Sequence, residues 1–192
     1  MHYYLFYKPY DVLSQFTDVF GRKTLNGFGP FPKDVYSVGR LDMDSEGLLL
    51  LTNDSEVNHR LTEPEFEHPR TYLVQVEGIP SLNALEQLER GVIVHGKNTK
   101  PVNARLLEHE PEIPARIPGI RYRKSIPTAW IEITLHEGRN RQVRKMTAAI
   151  GHPTLRLIRT TIGELSLGSL KPGEARRLTA EEAQKLRSYV GL

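Results

Sequence analysis

The chain has 192 residues, 39% hydrophobic and 26% charged, which is ordinary globular usage and excludes a disordered or fibrous protein. It contains no cysteine, so disulfides, thiolate metal centres, iron–sulfur clusters and a cysteine nucleophile are excluded. The net charge is +3, from 26 basic and 23 acidic residues, a balance too even to name a partner by itself. The longest purely aliphatic run, Leu48, Leu49, Leu50 and Leu51, is far short of the about 20 residues a membrane helix requires. The N-terminus lacks the pattern of a secretion signal, so a cytoplasmic chain without a membrane partner is expected.

In chain order, strands are expected over 3–7 and 34–40. Residues 48–52 read as a buried strand, a short apolar run bounded by Gly47 and Asn53. A weaker helix is placed over 54–61. Residues 71–76 are rich in β-formers and predict a strand. Ser81 caps a helix over 82–90 that Gly91 closes. In 130–135, Trp130, Ile131, Ile133 and Leu135 are set against Glu132 and Thr134, the alternation of a half-buried strand. A helix over 140–150 ends before Gly151 and Pro153, and a strand follows over 154–162. Thr179 and Glu182 form a capping box for a last helix reaching about Tyr189. The Pro- and Gly-rich stretches 27–32 and 111–127 read as surface loops rather than linkers. The expected class is α+β with a largely antiparallel sheet.

Charge is segregated along the chain. Arg139, Arg141, Arg144, Lys145, Arg156 and Arg159 fall between residues 139 and 160 with no acid among them. Arg116, Arg121, Arg123 and Lys124 form a second acid-free cluster. Such segregation produces one-signed faces, and a basic face suits a phosphate backbone. On the helix over 140–150, Arg141, Arg144 and Lys145 share one side and Val143, Met146 and Ile150 the other. A surface helix serving stability alone would usually mix signs.

Three carboxylates, Asp42, Asp44 and Glu46, lie between a strand end and the buried strand, where a sheet holds a loop rigidly. Their spacing imitates the opening of a calcium loop. The twelfth position is Asn53, though, and the preceding residues are apolar, so calcium is rejected. From spacing alone, the bland reading is a polar turn whose aspartates satisfy backbone amides. Tyr72, at the start of its strand, is by itself an ordinary core residue with its hydroxyl at the rim. The seven histidines show no metal spacing, and no phosphate loop, nucleophile elbow or dinucleotide fingerprint is present.

Taken together and in this order, the segments resemble the RsuA family of RNA pseudouridine synthases. Gly39-Arg40-Leu41-Asp42, with Ser45-Glu46-Gly47 and the leucine run, is similar to the family's nucleophile segment. Arg70-Thr71-Tyr72 is similar to its basic-x-Tyr segment, and Glu137 to Met146 to its third motif. The starts at Leu5 to Asp18 and Arg123 to Thr128 resemble a subgroup acting on one uridine of 23S rRNA. The likeness spans about residues 4–178. Ser55 and Arg70 depart from the commoner Gly and Lys, at positions outside the presumed chemistry.

The resemblance implies the pseudouridine synthase fold. It would form a single catalytic domain over 1–192, two lobes sharing a mostly antiparallel central sheet with helices around it and an RNA-binding cleft, and no S4 domain. It implies Asp42 as catalytic carboxylate, with Arg144 as the cation that keeps it ionised and Tyr72 stacking on a flipped-out uracil. Arg40 would hold displaced RNA and Ile158 would wall the base. Arg139, Arg141, Lys145, Arg156, Arg159, Arg121, Arg123 and Lys124 would grip phosphates. Asp44 and Glu46 are read as hydrogen-bonded loop or surface charges. No cofactor and no metal are implied. The expected partner is 23S rRNA, free or in a large-subunit precursor, bound by a monomer. A catalytically silent RNA-binding protein of the same fold, acting in ribosome assembly, is the rival. Loss of Asp42, Tyr72 or Arg144 would favour it, and all three are present. A two-carboxylate glycosidase using Asp42 and Glu46 would need an aromatic-rich sugar cleft, and tryptophan occurs once.

Overall fold

The computed structural model describes residues 1–121, 123 and 125–192. Its elements in chain order are β1 (Tyr3–Lys8), β2 (Tyr36–Ser37), β3 (Glu46–Thr52), α1 (Ser55–Thr62), β4 (Arg70–Glu77), α2 (Leu82–Arg90), β5 (Ile93–Val94), β6 (Lys97–Asn98), β7 (Asn103–Leu106), β8 (Thr128–Leu135), α3 (Gln142–Ala149), β9 (Thr154–Ile162), β10 (Leu165–Ser166), β11 (Ala175–Arg177) and α4 (Ala180–Tyr189). Short 3₁₀ turns lie at Leu25–Phe28 and Pro64–Phe66. The chain divides into two compact units, Met1–His68 with Arg159–Leu192, and Pro69–Ile158. Within them, the pairings β1–β11, β1–β3, β2–β3, β4–β8 and β7–β8 are antiparallel, as the α+β reading anticipates.

In the first unit, β1 lies between β11 and β3, and β2 adds to β3. The β1–β3 register runs from Tyr3 opposite Thr52 to Lys8 opposite Gly47. Every residue of β3 is buried, which explains its unbroken leucine run. Successive side chains point to opposite faces. Leu48 and Leu50 join Tyr3, Leu5, Val57, Leu61 and Leu186 in one core. Leu49 and Leu51 join Phe6, Val12, Leu25 and Val35 in another. At about 1.5–3 kcal/mol per buried leucine, these four side chains contribute to both cores of the unit. Both helices here are held by their caps. Asp54 accepts from Glu56 N and Val57 N at the start of α1, and the Thr179–Glu182 capping box opens α4.

In the second unit, β4 pairs with β8 from Arg70 opposite Leu135 to Glu77 opposite Thr128, and β8 pairs with β7. The helix α2 begins at the Ser81 cap and buries Ala84, Leu85 and Leu88. A tight hairpin joins β5 to β6 through His95 and Gly96, with φ of +53° and +73°. Two consecutive positive φ values match the right-handed twist of the flanking strands.

Two expected elements are shorter in the structure. Of the strand expected over 34–40, only Tyr36–Ser37 pairs regularly, because Gly39 at φ +64° turns the chain toward Asp42. The helix expected from Asn140 begins at Gln142, because Arg141 takes a left-handed conformation at φ +53°. The short strands β5, β6, β7, β10 and β11 had no clear sequence signal. At two to four residues, with mostly exposed side chains, they carry too little alternation to register.

Candidate active site

Asp42 sits in the first unit, half-buried, in the turn that feeds β3. The turn is fastened at several points. Ser45 N donates to Asp42 O at 3.0 Å, and Asp11 N donates to Met43 O at 2.9 Å. The buried Ser14 hydroxyl donates to Leu41 O at 2.9 Å and accepts from Leu41 N at 3.0 Å, so the residue before Asp42 is held by both its backbone groups. Behind the turn, Gly47 has φ +107°, and a Cβ on it would lie 2.3 Å from Arg159 O. Only glycine tolerates both that dihedral and that approach. Arg159 itself is buried and donates through Nε to Leu48 O at 2.9 Å.

Lys8 completes this arrangement and had been given no role from sequence. Its side chain is wholly buried, and Nζ donates to Val12 O at 2.6 Å, Pro9 O at 2.9 Å and Met43 O at 3.4 Å. Burial pushes its ammonium down to about 8, while the charges of Glu46, Asp44, Asp42 and Asp11 act in the opposite sense. The only clue in the sequence is a lysine closing an apolar strand, just before a proline. Glu46 and Ser45 are buried and Asp44 half-buried, so Glu46 is not a surface charge. Arg40 is exposed, with a terminal nitrogen 3.2 Å from Gln15 Oε1.

The second unit holds the remaining expected residues. Tyr72 is the third residue of β4, paired with Ile133 and 9% exposed. Arg144 lies half-buried in the first turn of α3. The turn leading into that helix is built from a network that sequence reasoning missed. The Glu137 carboxylate accepts from Lys100 N at 2.9 Å and from Gln142 Nε2 at 2.6 Å. Gln142 Oε1 in turn accepts from Arg139 N at 2.9 Å. Glu137 and Gln142 were visible in the third motif, but nothing local says that a glutamine will be buried.

The expected phosphate-binding residues fall into distinct environments. Arg141 and Arg121 are exposed. Lys145 is half-buried, donates to Asn140 O at 2.7 Å and contacts His95. Arg139 pairs with Glu137 at 3.1 Å and donates to Asn98 O at 2.8 Å. Arg123 is exposed and 3.5 Å from Glu77. Arg156 is buried, donating to Pro114 O at 2.9 Å, and Ile158 is wholly buried in β9. Lys124 lies outside the described residues. Among the described residues, no three His, Asp or Glu side chains converge to hold a metal ion.

A glycine-turned, lysine-backed aspartate preceding a doubly buried strand, and a basic helix following a Glu–Gly–Arg turn, invite comparison with known proteins. The family model described as RNA pseudouridylate synthase matches residues 2–149. The chain belongs to the RNA pseudouridylate synthase family. It is 53% identical over 171 residues to "Ribosomal large subunit pseudouridine synthase E" of Xanthomonas campestris, covering 88% of this chain and 91% of the relative. It is 42% identical over 189 residues to "Ribosomal large subunit pseudouridine synthase B" of Bacillus subtilis, covering 98% and 72%. A crystal structure of a pseudouridylate synthase superimposes with a TM-score of 0.80 at 31% identity, covering 96% of this chain and 73% of that one. As a member of this family, the chain is an isomerase that converts uridine to pseudouridine, and its fold is the pseudouridine synthase fold.

Proposed function

We propose that this synthase modifies one uridine of 23S rRNA in the cytoplasm, acting as a monomer with Asp42 as its catalytic carboxylate. The observation that carries the assignment of Asp42 is the turn around it, held by Ser14, Asp11 and the buried Lys8. A rigid turn places a reactive group without an ordering cost at the moment of reaction. Relatives named for the large ribosomal subunit support the choice of RNA.

The reaction breaks the N1–C1′ bond, turns the uracil and joins it through C5. It is self-balancing: no electrons and no group from a donor are needed. A stacked base must first leave its helix, at a cost of a few kcal/mol. In this reading Tyr72 stacks on the extruded uracil, and Arg144, a permanent cation, serves the same chemical step. Arg40, Arg141, Lys145, Arg121 and Arg123 meet the RNA backbone. Arg156 and Arg159 are buried on the carbonyls of Pro114 and Leu48 and brace the fold rather than grip phosphates, Arg139 organises the turn before α3, and Ile158 acts through packing.

The test is tritium release from unmodified 23S rRNA labelled as [5-³H]uridine, with wild type beside Asp42→Asn. About one release per rRNA is expected from wild type and none from the variant, which should still bind RNA, since only a contact of the chemical step is lost. Undiminished release from Asp42→Asn would remove the assignment. No release by wild type from rRNA or from a large-subunit precursor would leave the silent RNA-binding role instead.

A further inference from the structure

The exposed turn over 17–23, in the same unit as Asp42, is built around one acid. Asp18 accepts from Phe20 N at 3.0 Å, from Arg22 N at 2.9 Å, and from the Arg22 guanidinium at 3.2 and 2.6 Å. The Arg22 hydrogen bonds hold its carboxyl down to about 2, so the turn stays locked at physiological pH. This stiffness presents apolar surface to water. Val19 is 91% and Phe20 80% exposed, and the Arg22 guanidinium carbon lies 5.3 Å from the centre of the Phe20 ring. An ordered aromatic held in solvent adds nothing to the core of the fold, and an aromatic beside a guanidinium is the surface on which unpaired bases stack.

Charge and connection point the same way. Asp18 is neutralised within the turn, Arg22 and Lys23 are exposed, and no further acid occurs until Asp34. The foot of the turn is fastened by Leu13 N to Lys23 O and Leu25 N to Gln15 O, each 2.9 Å. Ser14, beside that foot, is the residue holding Leu41 by both backbone groups. The turn is thus part of the framework that sets Asp42.

We propose that Phe20, backed by Arg22, stacks on an unpaired nucleobase of the substrate RNA near the target uridine, with Val19 beside it and Lys23 on the adjoining phosphate. The proposal rests on the reading of this synthase as an enzyme of 23S rRNA and adds a site that helps select its substrate.

The experiment compares wild type, Phe20→Ala, Phe20→Trp and Asp18→Asn in binding unmodified 23S rRNA and a fully paired RNA duplex. Phe20→Ala should weaken rRNA binding about tenfold, the loss of one stacked base, with the loss falling on KM in turnover. Duplex binding should change little, because a duplex offers no free base. Phe20→Trp should retain rRNA affinity, and the fluorescence of the new indole should be quenched by rRNA. Asp18→Asn should lose part of the affinity by loosening the turn while Phe20 remains. Wild-type affinity in Phe20→Ala, or equal losses on rRNA and duplex, would overturn the proposal. Tritium release by wild type reports separately on the function. An active wild type with an indifferent Phe20→Ala sinks only the stacking site, whereas an inactive wild type sinks the functional reading.

Discussion

At the scale of single residues, Lys8 holds an ammonium with no exposed surface among the charges of Glu46, Asp44, Asp42 and Asp11. Burial lowers Lys8 from 10.5 to about 8, so the unfolded chain keeps this proton to higher pH than the folded one. Between those values unfolding takes up a proton, and stability therefore rises with pH across the window. Below it both states are protonated and the cost of burying the charge is felt in full. Urea unfolding of wild type and Lys8→Met from pH 7.5 to 10.5 should show wild type gaining on the variant by up to about 3 kcal/mol. A constant difference would mean that Lys8 is not desolvated. Gln142 is the counterpart in the second unit. Gln142→Leu removes a partner from Arg139 N and from the Glu137 carboxylate, and should cost about 1–3 kcal/mol in unfolding measurements. The motifs that carry Asp42, Tyr72 and Arg144 stand out in the sequence because they are local strings. Lys8 and Gln142 do not, because a charged or amide side chain gives no local sign that distant strands will cover it.

At the scale of elements, the decisive features are points where backbone meets backbone. Gly47→Ala would press its Cβ against Arg159 O and N in a conformation at φ +107° and should cost more than about 3 kcal/mol. Gly96→Ala, at φ +73° in open space, should cost only about 1–2 kcal/mol. Comparable losses at the two sites in thermal melts would refute the close approach at Gly47. The α4 cap makes a pH-dependent prediction. Arg176 binds both Glu182 oxygens at 2.9 Å and Thr179 N donates to one at 2.8 Å, holding the carboxyl at about 2 instead of 4.5. A depressed carboxylate stabilises above its unfolded value and loses that contribution as pH falls through the folded one. Glu182→Gln should thus lower stability at pH 7, by no more than about 1 kcal/mol for so exposed a pair, and the gap in Tm to wild type should close toward pH 2. The ends of elements were the least legible part of the sequence. Nothing in 139–142 announces that Arg141 will take φ +53°, yet that one dihedral decides where α3 begins.

For the whole molecule, the charge pattern makes a prediction about RNA. If exposed cations meet phosphates, affinity for rRNA should fall steeply with salt, and Arg141→Gln should reduce the slope of log affinity against log salt by about 0.7–0.9. Arg156→Gln should instead reduce stability, since its guanidinium holds Pro114 O inside the second unit. A slope untouched by Arg141→Gln would remove that residue from the interface. The sequence by itself determined the family, the α+β class, the positions of the principal strands and helices, and the identity of the candidate carboxylate. These depend on short-range pattern: period-two alternation, caps, glycines and contiguous motifs. Only the tertiary structure decided which cations face solvent and which are consumed as struts, why the leucine run feeds two cores, and what holds Asp42 in place. Burial and hydrogen-bond satisfaction are properties of strands brought together from far apart in the chain, and no window of sequence contains both partners.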